Sequence, residues 1–281
     1  MKRIVALSLF VGLVGFGGLA GCGKKKSDEL SFGKAAEPFG PLAKIKFGMA
    51  DTEIVEKAPE FEFKKFGGRA RVGKHEYELK LVSTMKVVNE MKASLDKTKP
   101  EVITKAWGAG TPGVDVLDKP VTYYTNESKT VRAMVQPLGD DLWVEFLPMT
   151  PLASLVSDDG TTVAGIKLLG MTKDDAWKAT NQAKFDSEMT KFEAPVTEWG
   201  TKHTLVTYNL DGETIVGYTV FLDTKLSPTA KDEILATLEK KWGKPTPTKN
   251  VLDSEELVYR AADPTIKVRP SDDTLFLEVK K

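Results

Sequence analysis

The chain is poor in reactive side chains and in excess charge. Its 281 residues include one cysteine and two histidines, and 40 lysines and arginines are balanced by 40 aspartates and glutamates. Each scarcity excludes something. A single thiol cannot close an intrachain disulfide, so stability has to come from packing, for which about 240 residues suffice. Two histidines fall short of the three or four protein ligands that zinc takes, so no metal centre is expected. A balanced charge lacks the basic excess with which a general nucleic-acid binder neutralises phosphate. No GxSxG elbow is present, and no strand-glycine-loop-helix setting for a phosphate, so no catalytic residue and no cofactor are expected.

What is present begins with Lys2 and Arg3, followed by an uncharged run from Ile4 to Leu19. That is the pattern of a signal peptide, and about 16 apolar residues are short for a membrane span of roughly 20. The run ends in Leu19-Ala20-Gly21-Cys22. These four residues resemble the lipobox of bacterial lipoprotein precursors at every place. The resemblance implies cleavage between Gly21 and Cys22, lipidation of Cys22, and a cell-envelope location on a membrane. Two or more acyl chains anchor stably without help from the protein. Gly23 is not the aspartate that retains many such lipoproteins at the inner membrane, which implies delivery to the outer membrane. Removing residues 1–21 leaves 38 basic against 40 acidic residues. Residues 22–41, charged and without period, read as a flexible tether.

Behind the tether the two halves repeat each other. AKIKFGMADTEI from Ala43 answers AGIKLLGMTKDDA from Ala164, and KHEYELKL from Lys74 answers KHTLVTYN from Lys202. KAWGAGTP, ending at Pro112, answers KKWGKPTP, ending at Pro247, and VRAMVQPLGDDLWVEF from Val131 answers IKVRPSDDTLFLEV from Ile266. Tandem units over residues 42–150 and 151–281 are therefore expected. Each reads as a short strand at Ile45 or Ile166, a helix, a two-strand hairpin, a second helix ending at Trp-Gly, and three closing strands. Asp211-Gly212 between alternating apolar runs marks the second hairpin. The expected fold class is α+β, each unit an antiparallel sheet with two helices packed on one face.

Candidate sites are few. His75 and His203 fall at matched places, each after a lysine, and read as residues at strand starts rather than as a shared metal or proton site. The acidic pairs Asp140-Asp141, Asp158-Asp159, Asp174-Asp175 and Asp272-Asp273 sit beside turn or cap signals and lack the spacing of a calcium loop. Trp143, Tyr123 and Tyr124 lie on expected strands, where one face of an antiparallel sheet is often uncovered, and are the candidate partner contacts.

GMTKDDAW, from Gly170, resembles the helix start of small envelope repeats found in β-lactamase inhibitor proteins and in the SmpA/BamE lipoproteins of outer-membrane assembly. The first unit departs from it at Ala50, and strands intervene between the helices, so the resemblance implies only the class of small binding repeats. The leading functional expectation is a non-catalytic envelope lipoprotein that binds another envelope protein or acts as an assembly or inhibitor module. A carrier or sensor of a lipid or other small apolar ligand is the alternative, and a hydrolase with paired carboxylates comes third.

Overall fold

The computed structural model describes residues 30–64, 67–82, 86–115, 117–180, 190–250 and 252–281. Gly21 and Cys22, with the whole expected signal peptide, lie outside them. In the first unit α1 (Asp51–Lys57) is followed by β1 (Glu62–Lys64), β2 (Gly67–Val72), β3 (His75–Val82) and β4 (Val87–Leu95). Then come α2 (Pro100–Trp107), β5 (Thr111–Val114), β6 (Pro120–Thr125), β7 (Val131–Leu138) and β8 (Asp141–Pro148). The second unit opens with α3 (Leu152–Leu155), β9 (Thr162–Val163), β10 (Ile166–Lys167), α4 (Lys173–Thr180) and β11 (Lys191–Ala194). It continues through β12 (Thr204–Asp211), β13 (Thr214–Asp223), α5 (Ala230–Trp242), β14 (Thr246–Lys249), β15 (Glu255–Arg260), β16 (Thr265–Pro270) and β17 (Thr274–Lys280).

Two large sheets result, every pairing antiparallel: β1-β2-β3-β4-β8-β7-β6-β5 and β11-β12-β13-β17-β16-β15-β14. From β2 and β11 onward the two orders coincide strand for strand, and α2 and α5 interrupt them at the same place. Both helices end at Trp-Gly, with Gly108 at φ 82° and Gly243 at φ 85°, a backbone region open to glycine. The two-residue turns at Gly139 and Gly212 have φ of 63° and 58° for the same reason and close β7–β8 and β12–β13.

The expected α+β class is corrected by the strand inventory. Among the described residues seventeen strands stand against five α-helices of 4 to 13 residues, so the chain is mainly antiparallel β. The unforeseen strands are chiefly β1, β2, β5, β11 and β14. Their sequences hide them: GGRARV holds two glycines, and TPGV and TPTK each hold a proline, which a sheet accepts at the edges that β5 and β14 occupy. Ile45 forms no strand; it follows a 3-10 helix, Gly40–Lys44, and is buried.

Burial alternates along the inner strands, as in DLWVEF of β8, because successive side chains point to opposite faces. Leu142, Val144 and Phe146 of β8 turn inward with Tyr77, Leu79, Met91 and Ala93, and Ile54, Ile103 and Trp107 of the helices cover them. In the second unit Val206, Tyr218, Val220, Leu275 and Leu277 are covered by Ala176, Ile234 and Leu238. Residues 30–41, expected in the tether, belong instead to the first core. Phe39 is 2% exposed, with ring contacts to Phe32 at 4.7 Å, Phe146 at 5.7 Å and Trp107 at 6.1 Å. Leu30, Phe32 and Phe39 give the segment the apolar area that a tether lacks.

The units are joined on the face of the first sheet that its helices leave open. Arg132 of β7 is 3% exposed, and its guanidinium donates to the carbonyls of Glu198 and Gly200 while lying over the Tyr123 ring at 5.7 Å. Burial lowers its pKa to about 10. Val196 N–H donates to Pro148 O at 3.0 Å and Thr150 N–H to Val196 O at 2.9 Å, beside a small cluster of Leu147, Met149 and Val196. Leu152 N–H donates to Glu198 Oε2 at 2.8 Å, and Lys225 pairs with Asp118 at 3.3 Å. Hydrogen bonds from a charged group contribute about 1.5–3 kcal/mol each, so losing both with Arg132→Ala should cost about 3–5 kcal/mol. Urea unfolding checks this: the midpoint falls for Arg132→Ala and stays within about 0.5 kcal/mol for Lys34→Ala, whose side chain is exposed.

Candidate functional site

On the same outer face of the first sheet, away from Arg132, alternation brings charged side chains into register. Glu62 lies opposite Arg69, Arg69 opposite Glu78, Glu78 opposite Lys92, and Lys92 opposite Glu145. The signs alternate across β1, β2, β3, β4 and β8. A second row pairs Lys80 with Glu90, and a third runs Arg71, Glu76, Ser94 and Trp143. Directly opposed charges of unlike sign stabilise a sheet, which accounts for the pattern locally. Arg69 meets Glu78 at 3.2 Å, Lys80 meets Glu90 at 3.2 Å, and Lys92 bridges Glu90 and Glu145, the latter at 3.6 Å. Lys92 also lies over the Trp143 ring at 5.5 Å.

Two adjoining hollows of about 560 Å³ each open over these rows. One is lined by Lys64, Lys80 and Glu90, the other by Arg71, Glu76, Ser94 and Trp143, and both by Glu62, Arg69, Glu78 and Lys92. Partial burial makes the electrostatics strong. Burial opposes the charge on Glu90, but Lys92 and Lys80 outweigh it and hold that carboxyl below its usual range. Lys92 is likewise held above its usual range, since Glu90 and Glu145 outweigh the burial that disfavours its charge. Glu145 goes the other way: burial first, and then the charge of Glu90, push it up to about 7. From the second unit, His203 feels Glu90 and Lys80, and burial lowers its pKa.

The aromatic candidates separate. Trp143 is half-buried on the open face and lines the second hollow. Tyr123 is 3% exposed under Arg132, with its hydroxyl donating to Val114 O at 2.8 Å. Tyr124 is 5% exposed in the inner core against Trp107, ring centres 5.2 Å apart. Neither tyrosine is available to a partner. His75 opens β3 and His203 precedes β12, and among the described residues no group of three or more histidine, cysteine, aspartate or glutamate side chains could hold a metal. The acidic pairs fall on turns, at the helix start of α4 or, for Asp141, at the first residue of β8. Asp159 accepts from Thr161 N–H and Oγ1 at 3.0 and 2.8 Å and from Ser157 Oγ, which hold its carboxyl down to about 2.

Arg69, Glu78, Lys92, Glu145 and Arg132 were not singled out from sequence. The available signal was KHEYELK, where Glu76, Glu78 and Lys80 alternate with apolar residues, and the single arginine within VRAMV. The second sheet bears a different outer face at the same ladder positions: Leu205, Phe221, Phe276 and Arg269 line up across it, the two rings 5.2 Å apart and Arg269 over Phe276 at 5.6 Å.

Glu145 gives stability a pH dependence of known sign. Its folded pKa lies above the ordinary glutamate value of 4.5, so its contribution is fully present below pH 4.5 and is lost as pH rises through about 7. Glu90, shifted down, contributes in the opposite sense and only on the acid side. Glu145→Gln should therefore be more stable than wild type above pH 7, by something on the order of 2 kcal/mol, and the difference should shrink toward pH 4.5. Denaturant midpoints measured across that range test it; a difference that does not change with pH removes the assignment.

No family model matches the chain, and comparison with curated proteins and with solved structures finds no match.

Proposed function

We propose that this chain is a non-catalytic, lipid-anchored protein of the cell envelope, carried by Cys22 on the outer membrane, whose paired sheets bind other envelope proteins. The lipobox supports the anchor. The observation that carries the binding role is the division of faces: helices cover one side of each sheet and leave the other open. Trp143 on the first open face and Phe221 and Phe276 on the second are partly exposed there. Half-exposed aromatic rings in a polar surround are the groups that dominate interface energetics once buried.

The carrier reading is less well supported, because the two hollows over the charged rows are lined mainly by glutamate, lysine and arginine. An acyl chain there would strip water from charges and return nothing to them. One observation favours the hydrolase reading: Glu90 and Glu145 converge, with pKa values displaced in opposite directions, as acid and base pairs require. Against it, Lys92 sits between them, and Glu90 is 5% exposed, which leaves little room for a substrate.

The anchor is tested by mass. Wild-type protein from membranes should carry acyl chains on an N-terminal Cys22, and Cys22→Ser should lack them and leave the membrane fraction. Crosslinking in intact cells tests the binding role: a stoichiometric envelope partner is expected, and Phe221→Ala/Phe276→Ala should reduce its recovery at least tenfold, an amount ordinary for aromatic anchors. Recovery of no partner under several crosslinking conditions would sink the reading.

A further inference from the structure

The charged face of the first sheet has a symmetry property. Its central row reads Arg69, Glu78, Lys92, Glu145 across β2, β3, β4 and β8, positive and negative in alternation. A two-fold axis parallel to the strands and passing between β3 and β4 reverses this order. Under it Arg69 of one copy faces Glu145 of another, and Glu78 faces Lys92, each contact occurring twice. The neighbouring rows obey the same operation. Lys80 comes over Glu90, which is buried beneath its own Lys80 and Lys92 and adds no contact, Glu76 faces Ser94, and Arg71 faces Trp143, a pairing of guanidinium and indole that is favourable in itself. No like charges meet in the three rows. A two-fold interface requires this self-complementarity, since one patch must serve as its own partner.

We propose that the open face of the first sheet, β2, β3, β4 and β8, is a self-association surface whose occupant is a second copy of this chain. The inference rests on reading the open faces as docking surfaces and specifies the partner of this one. The side chains are placed for it. Arg69 is 75% exposed and Glu78 44%, so they reach outward, whereas Lys92 and Glu145, at 27% and 18%, line the floor they would reach into. Glu145 gains most. Its carboxyl is displaced upward by burial and by Glu90, and an approaching guanidinium supplies the countercharge that its own sheet shares between two carboxylates. The patch is modest. Four strands about 4.8 Å apart, with three outward positions each, present roughly 400 Å² per copy, below the usual size of a stable interface, so association is weak and sensitive to salt.

Charge exchange tests the geometry. Arg69→Glu puts acid against acid at both symmetric contacts, and Glu145→Arg puts base against base, but one chain of each kind restores both. The full chain is purified in detergent at low ionic strength, and a tagged copy is used to retain an untagged one. Wild type should be retained, and retention should fall as salt is raised. Each single variant should be retained at least tenfold less, and the mixture of R69E with E145R should recover wild-type retention. The pair Glu78→Lys and Lys92→Glu provides the same cycle at the central contact, in case Glu145→Arg fails to fold, and thermal midpoints report folding for every variant. Wild type that is never retained, single variants that match wild type, or a mixture of folded variants that does not recover would overturn the inference. Failure here together with continued capture of a different envelope protein leaves the proposed function standing; loss of both removes both.

Discussion

Arg132 sits where a charge is costly, and the way its cost is met organises the molecule. A buried guanidinium needs acceptors for its donors, and here they are main-chain carbonyls at residues 198 and 200, not a carboxylate. Carbonyls at the end of a loop can be aimed only if the loop is fixed. The network around Glu198 and Val196, bonded in turn to Leu152, Pro148 and Thr150, does the fixing. The second unit is therefore held over β6, β7 and the end of β8, and the rest of that face stays open. The charged rows across β2, β3, β4 and β8 lie on the part of the face that this contact leaves uncovered.

Two units with one strand order have been given different outer surfaces. At equivalent ladder positions, Lys92 and Glu145 in the first sheet correspond to Thr219 and Glu278 in the second, and Ser94 and Trp143 to Phe221 and Phe276. Their inner positions remain apolar in both. Fold stability resides in the inner face, where a substitution leaves a cavity or an unpaired polar group, whereas the outer face tolerates change. Divergence of this kind lets a repeated scaffold carry two unlike surfaces, one lined with ion pairs and one with aromatic rings.

The hairpin at Asp211-Gly212, the helices that end at Trp-Gly, and the three closing strands of each unit were legible in the sequence, because each is local: a turn signal, a cap or a period of two. Strands at the sheet edges or next to them were not, since GGRARV and TPTK take their conformation from the neighbours they pair with and have little preference of their own. The candidate site was hidden for a related reason. Glu78, Lys92 and Glu145 are spread over nearly seventy positions of chain, and only register brings them into one row. Trp143 could be read as exposed from its place on a strand, but Tyr123 and Tyr124 occupy alternate faces of β6, and both of those faces are covered, one by the inner core and the other by the second unit.

Phe32 and Phe39 have a mechanical consequence. Because residues 30–41 are packed into the first core, only seven residues, 23–29, separate that core from Cys22, and eight Cα–Cα steps reach at most about 28 Å when fully drawn out. If Cys22 holds the protein to a membrane, tension on the anchor enters the body through those two rings, at the centre of the aromatic cluster with Trp107 and Phe146. A pull along the anchor reaches Phe32 before Phe39, so the aromatic cluster of the first unit is the first part of the core to bear the load.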